Sequence, residues 1–287
     1  MSEKCCCCCS ARVPSLVKKY LMAATGLVLV LFLLGHVVGN LQMFGAPEKI
    51  NTYAHMLHAL PPAALWGFRV FMLVCIVVHF GLAIKLKLEN LAARGSEPYS
   101  AKATRYAAWS ARAMIITGIL ILAFIVWHLF QFTVFKEAGC LAAYENATTI
   151  SAVGEHGIFG YLGLHGAGNA SVLDYKVFDV YQMVYNAFAN PLVSIGYIVA
   201  MLLLLSHLSH GAHSMFQSVG LRNEKLRPIF RGIAVLYAIF VCGGLIAVPA
   251  GVLAGVIKPN PNTTAPVAQV QCPIEATCCG NSAPAQN

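Results

Sequence analysis

Four histidines stand inside long apolar runs of this 287-residue chain: His36, His79, His128 and His207. An imidazole is costly to hold at membrane depth, so an intramembrane ionisable side chain is a functional candidate by default. Each lies about four to six residues beyond the midpoint of its run, counted at ~1.5 Å of rise per residue. Successive runs cross in opposite directions, so His36 and His128 share one half of the bilayer and His79 and His207 the other. The layers are separated by roughly 12–18 Å along the membrane normal. Imidazole pairs at two depths in a helical bundle are what two six-coordinate b-type haems require, one neutral nitrogen on each face of the macrocycle. Two other readings of the same four residues remain: a relay for protons or substrate, and polar groups satisfied by packing. No Cys-x-x-Cys-His is present, which argues against covalent haem attachment.

Helices must place those side chains, and composition says in what solvent. With 58% hydrophobic and 10% charged residues, the chain has too little polar surface for a water-soluble globule of its size. Five apolar runs reach the ~20 residues that cross ~30 Å of hydrocarbon as helix: about 17–41, 62–84, 113–135, 190–211 and 230–257. The expected fold is an all-α integral membrane protein with five transmembrane helices, the first four forming the histidine-bearing bundle. Residues 1–14 are expected to be a cysteine-rich tail, 15–257 the membrane domain and 258–287 a low-complexity tail.

Lysine and arginine orient the bundle. Lys4, Arg12, Lys18 and Lys19 lie before the first run or in its first residues; Lys85, Lys87, Arg94, Lys102, Arg105 and Arg112 lie between the second and third; Arg222, Lys225, Arg227 and Arg231 lie between the fourth and fifth or at the start of the fifth. By the positive-inside rule the N-terminus is cytoplasmic and the C-terminus external. The net charge of +8 is thus a topology signal. No nucleic-acid recognition module accompanies it, so the lipid bilayer is the expected partner and nucleic acid is not.

Other reactive side chains read more plainly. His55 and His58, at i and i+3, share a helical face but lack a third ligand, and suit an interfacial amphipathic turn. His156 and His165 fall in a glycine-rich external loop. Gly26, Gly35 and Gly39 let the first helix approach a neighbour or a flat ligand closely. Cys5–Cys9 lack metal-ligand spacing and read as an unstructured tail. Cys140, Cys272, Cys278 and Cys279 face an oxidising compartment where disulfides are permitted, whereas Cys75 and Cys242 read as apolar filler. Pro249 is a candidate kink in the fifth helix.

The five-span plan, with GHVVGN, VVHFG, VWHLFQF and HLSHGAHSMFQSVG around one histidine in each of the first four helices, resembles the dihaem cytochrome b subunit of succinate dehydrogenases and fumarate reductases. It is most similar to the single-anchor b558 type of bacteria, over about Ser15 to Val256. The resemblance implies two b haems, with His36 and His128 on the outer, distal one and His79 and His207 on the inner, proximal one. In the family a glycine four residues on marks the fourth ligand, matching His207 and Gly211 and leaving His210 and His213 as neighbours. It also implies a flavoprotein and an iron–sulfur subunit at the cytoplasmic face of a bacterial inner membrane. Electrons would pass between the iron–sulfur chain and a quinone, menaquinone or a related one. Another quinone-linked dihaem cytochrome, or a haem-free transporter relaying protons, would share much of the same sequence.

Haem propionates need cations, and Arg69, Ser110 and Arg112 are the candidates, since arginine suits bidentate carboxylate recognition. Snorkelling to the headgroups explains the two arginines equally well. For the quinone, Glu48, His55 and His58 are candidates on the outer side and Ser15, Lys19 and Tyr20 on the inner side. The acidic residue that some relatives carry beside the fourth ligand, as a proton route, is missing from LLLLS before His207.

Overall fold

Local signals set the ends of the helices before packing does. In chain order they are α1 (Ser15–Leu41), α2 (Pro47–His58), α3 (Pro62–Arg94), α4 (Trp109–Leu129), α5 (Val180–Ala189), α6 (Pro191–Ser218) and α7 (Arg227–Leu253). Prolines open α2, α3 and α6, where a missing N–H costs nothing and φ is already helical. Asp179 caps α5 by accepting from the Gln182 amide at 3.0 Å. Gly255, at φ +71°, ends α7 in the left-handed conformation, and the Val256 and Ile257 amides return to the Gly251 carbonyl at 2.9 and 3.0 Å. The computed structural model describes residues 13–94, 109–137, 141–153, 172–220 and 223–265.

Five of these helices, α1, α3, α4, α6 and α7, are long and apolar enough to cross a membrane. The chain is therefore an all-α, multi-pass membrane protein with the lipid bilayer as a partner. Most of the helices outrun the apolar segments that announce them, although α7 stops at Leu253, short of the expected end at residue 257. At 33 residues, α3 is ~50 Å long by its rise and continues through Lys85, Lys87 and Glu89 past the point where hydropathy falls. Such polar turns stay helical because packing and ion pairs hold them. The buried Lys18 of α1 pairs with Glu89 of α3.

Two compact units divide the chain. One comprises Met1–His36, Trp66–Ile119 and Leu204–Val241. In it α7 buries Ala234, Ala238 and Val241, a helical stripe of small side chains of the kind that lets membrane helices approach. The Tyr237 hydroxyl of α7 donates to the Val30 carbonyl of α1, and Phe216 stacks on Phe230 with centroids 4.6 Å apart.

The other unit comprises Val37–Leu65, Leu120–Leu203 and Cys242–Asn287. Beyond Leu129 its helix continues as a π-helical turn, Phe130–Val134. A two-stranded antiparallel sheet, β1 (Thr148–Val153) on β2 (Val172–Val177), pairs Thr148 with Val177 and Val153 with Val172. Where the sequence reads as loops and short turns, the fold thus has a hairpin leading into α5. Cys75 and Cys242 are buried thiols inside helices, as apolar filler should be. Pro249 lies within α7, and the helix runs on past it to Leu253.

A buried polar network ties the short elements of this second unit together. Asp179, with no exposed surface, accepts on Oδ1 from Asn51 Nδ2 and the Gln182 amide, both at 3.0 Å, and on Oδ2 from Asn260 Nδ2 at 2.8 Å. Asn51 in turn accepts from the Tyr181 amide, Gln182 accepts from the Asn260 amide and donates to Asn186, and Asn186 donates to the Tyr144 hydroxyl. Each side chain of this network finds a partner, which is the condition for burying it at all. Residues 258–265, expected to begin an external tail, belong to this network: Tyr181 donates to the Lys258 carbonyl and the Thr264 amide to the Ala147 carbonyl.

Burial lifts the phenol of Tyr144 above the ordinary tyrosine value of 10.0, and the Asp179 charge adds to this against the opposing hydrogen bond from Asn186. Burial also lifts Tyr181, helped by Tyr185 and Asp179. The folded state therefore holds these protons more tightly than the unfolded chain, and the stability they lend is complete below the unfolded pKa and lost as pH rises through the folded one. Amide exchange at Asn260 and Thr264, corrected for intrinsic rate, is expected to show flat protection up to about pH 10 and falling protection above it. Protection that declines steadily from neutral pH would contradict the assignment.

Candidate functional site

Of the four intramembrane histidines, His79 and His207 are placed alike. Both belong to the first unit, His79 on α3 and His207 on α6. His79 Nδ1 lies 3.3 Å from Thr25 Oγ1 and 3.2 Å from the Met22 carbonyl. The Thr25 hydroxyl already sends its proton back to the Leu21 or Met22 carbonyl, at 2.9 and 3.1 Å. The imidazole must then be the donor. In the neutral ring its proton then sits on Nδ1, with the lone pair on Nε2.

His207 repeats this on the other helix pair. Its Nδ1 lies 3.1 Å from Thr117 Oγ1, and the ring also bonds the Met114 backbone. Thr117 sends its own proton to the Ala113 or Met114 carbonyl, each at 3.1 Å. A glycine follows each threonine and makes room for the ring: a Cβ on Gly26 would stand 3.3 Å from His79 Cε1, and one on Gly118 3.4 Å from His207 Cε1. His79 and His207 are near neighbours within this unit. Two imidazoles, each held through Nδ1 by a neighbouring helix, are a donor set that could hold a haem through Nε2. The residues fit the group.

His128 lies in the second unit, in an aromatic cluster. Its Nδ1 is 3.1 Å from the Tyr197 hydroxyl, which donates to Gln131 Oε1 at 2.9 Å. The tyrosine proton is used on the amide, so His128 donates from Nδ1. Phe124 stacks on this ring at 6.0 Å and 25°, and Phe132 packs against it at 5.4 Å. His36 lies in the first unit with Phe32 stacked on it at 5.4 Å and 24°. Among the described residues no three His, Cys, Asp or Glu side chains gather as a bare-metal site.

The remaining candidates are dispersed. Arg69 places its guanidinium 4.8 Å from the Trp66 ring centroid, a cation–π contact typical of an interfacial anchor. Ser110 and Arg112 fall in the first turn of α4, and their side chains lie outside the described residues. Glu48, His55 and His58 share α2. His58 Nδ1 donates to the Ala54 carbonyl and its Nε2 accepts from Lys136 Nζ at 2.9 Å. Ser15, Lys19 and Tyr20 lie exposed at the start of α1. Cys5–Cys9, Cys140, His156, His165, Cys272, Cys278 and Cys279 are outside the described residues.

Gly26, expected from the sequence to allow a close approach, does so against the His79 ring, whereas Thr25, Thr117, Gly118, Tyr197 and Gln131 escape a reading that looks only for metal ligands. Their signal was nonetheless present: a Thr-Gly step at 25–26 before His36 and another at 117–118 before His128, with the same separation in both helices. Comparison of the chain with protein-family models, with curated proteins and with solved structures gives no match.

Proposed function

We propose that the chain is the membrane-anchoring cytochrome b subunit of a succinate:quinone oxidoreductase, a succinate dehydrogenase or fumarate reductase, with two bis-histidine b haems. His79 and His207 would hold the inner haem. His36 and His128 would hold the outer one, an assignment that rests on their depth in the sequence. The observation that carries the reading is the matched seating of His79 and His207, each with Nδ1–H committed to a neighbouring helix and Nε2 left as a ligand. A proton relay needs both nitrogens to exchange their partners; a nitrogen held by a hydroxyl and a carbonyl of a packed helix is suited to a fixed ligand instead.

The haems, when bound, supply one-electron transfer between an iron–sulfur subunit and a membrane quinone, menaquinone by the family resemblance. The residues of this chain would bind them, fix the ring orientation and exclude water with apolar helices. Flavoprotein and iron–sulfur subunits would dock at the cytoplasmic face of a bacterial inner membrane, where the positive-inside rule also puts the N-terminus. A dithionite-reduced minus air-oxidised spectrum, with haem quantified per polypeptide, tests this. Two b haems per chain, with succinate or fumarate activity in the co-purifying subunits, are expected. A folded chain purified from its native membrane without haem would overturn it.

A further inference from the structure

Met22–His36 and Met114–His128 are two copies of one pattern. Both carry Met, Thr, Gly, Phe and His at corresponding places: 22 and 114, 25 and 117, 26 and 118, 32 and 124, 36 and 128. The copies also make corresponding contacts. In each, the threonine hydroxyl takes the Nδ1–H of a histidine on the next membrane-spanning helix, and the methionine backbone bonds the same ring. The glycine clears space for that ring, and the phenylalanine stacks at 24° or 25° on the histidine of its own copy. Repetition of residues alone is cheap in apolar helices, but repetition of the contacts with them marks a functional unit.

From this we infer that Thr25 and Thr117 are a matched pair of positioning residues that hold both imidazoles of the inner site in the ligating tautomer and set how strongly they donate. The inference rests on the haem reading above. Threonine suits the task because its β-branch restricts χ1 in a helix and its hydroxyl proton is absorbed by its own helix, so the oxygen presents a lone pair to the ring. An acceptor on Nδ1–H makes Nε2 a stronger donor, and a stronger donor favours the oxidised metal. The outer site has a different arrangement at His128, where the acceptor is a tyrosine anchored by Gln131. The threonines therefore act on one haem of the two.

The test is a redox titration of the whole complex in its native membrane, following both haem components by absorbance and by electron paramagnetic resonance. Thr25→Val and Thr117→Val keep the side-chain shape and remove the acceptor. Each is expected to raise the midpoint of the same component, shifting its oxidised-to-reduced ratio at fixed ambient potential about two- to fivefold, and to alter that component's resonance signal. Thr25→Ser and Thr117→Ser are expected to restore both. Should a valine variant assemble poorly, Gly26→Ala and Gly118→Ala push a methyl against the same rings without touching a polar group, and the same component is expected to shift or be lost. A parent with two haems whose components do not move in the valine variants, or move equally, would overturn the inference while leaving the haem reading intact. A parent without haem would overturn both.

Discussion

If the proposed haems are present, alanine in place of either His79 or His207 is expected to remove the same one of two haem components and to leave about half the haem, since a site held by two imidazoles fails with the loss of either. Alanine at His36 or His128 is expected to remove the other component. The measurement is haem per polypeptide together with the low-temperature spectrum of each variant. What makes it discriminating is the pairing: His79 and His207 come from helices far apart in sequence, yet both rings share one seating of threonine, carbonyl and glycine. Loss of both components in His79→Ala and His128→Ala alike would show that the layers are not independent. Loss of different components in His79→Ala and His207→Ala would break the inner pair.

The second large effect is expected at Asp179, away from any histidine. In Asp179→Ala, Asn51 Nδ2, Asn260 Nδ2 and the Gln182 amide lose their acceptor in a place without solvent to replace it. Each stranded donor costs about 1–3 kcal/mol. Because the donors share one network the costs do not add, and a total of about 3–5 kcal/mol is expected. The carboxylate also caps α5, where the helix dipole favours a negative charge. Amide exchange at Asn260 and Gln182 is the direct readout, with protection expected to fall at least a hundredfold for a loss of that size. Asp179→Asn keeps one acceptor oxygen and should fall between. Unchanged protection at Asn260 in Asp179→Ala would mean that the tail is held by the Gln182 side chain and Thr264 contacts alone.

These two sites differ in how far the sequence announces them. Hydropathy reads the five spans because a run of ~20 apolar residues has few other uses, and counting along each run sets an expected depth for each histidine. It ends α3 too early, at Ile84, because the helix beyond is held by pairings such as Lys18 with Glu89 and not by an apolar face. Thr25 and Thr117 are invisible to the same procedure: a threonine in a membrane helix usually bonds its own backbone, as these do, and only the neighbouring imidazole gives the oxygen a second purpose. The Asp179 network is hidden for another reason. It joins Asn51, Tyr144, Gln182, Asn186 and Asn260, residues whose pairing follows from tertiary placement and leaves no periodic trace. The same holds for residues 258–265, whose Pro- and Asn-rich composition reads as unstructured until Asn260 and Thr264 find partners.

The π turn at Phe130–Val134 has a consequence for descent. A π turn carries one residue more than the α turn it interrupts, so this stretch is in effect an α-helix bearing an insertion, and one residue corresponds to about 100° of rotation. Gln131 sits inside it and anchors Tyr197, which in turn receives His128. A homologue shorter by one residue here would turn the glutamine position away from the tyrosine and leave that hydroxyl to find another acceptor. Chain length in this helix and the identity of residues 131 and 197 should therefore change together across lineages, as a single inherited character.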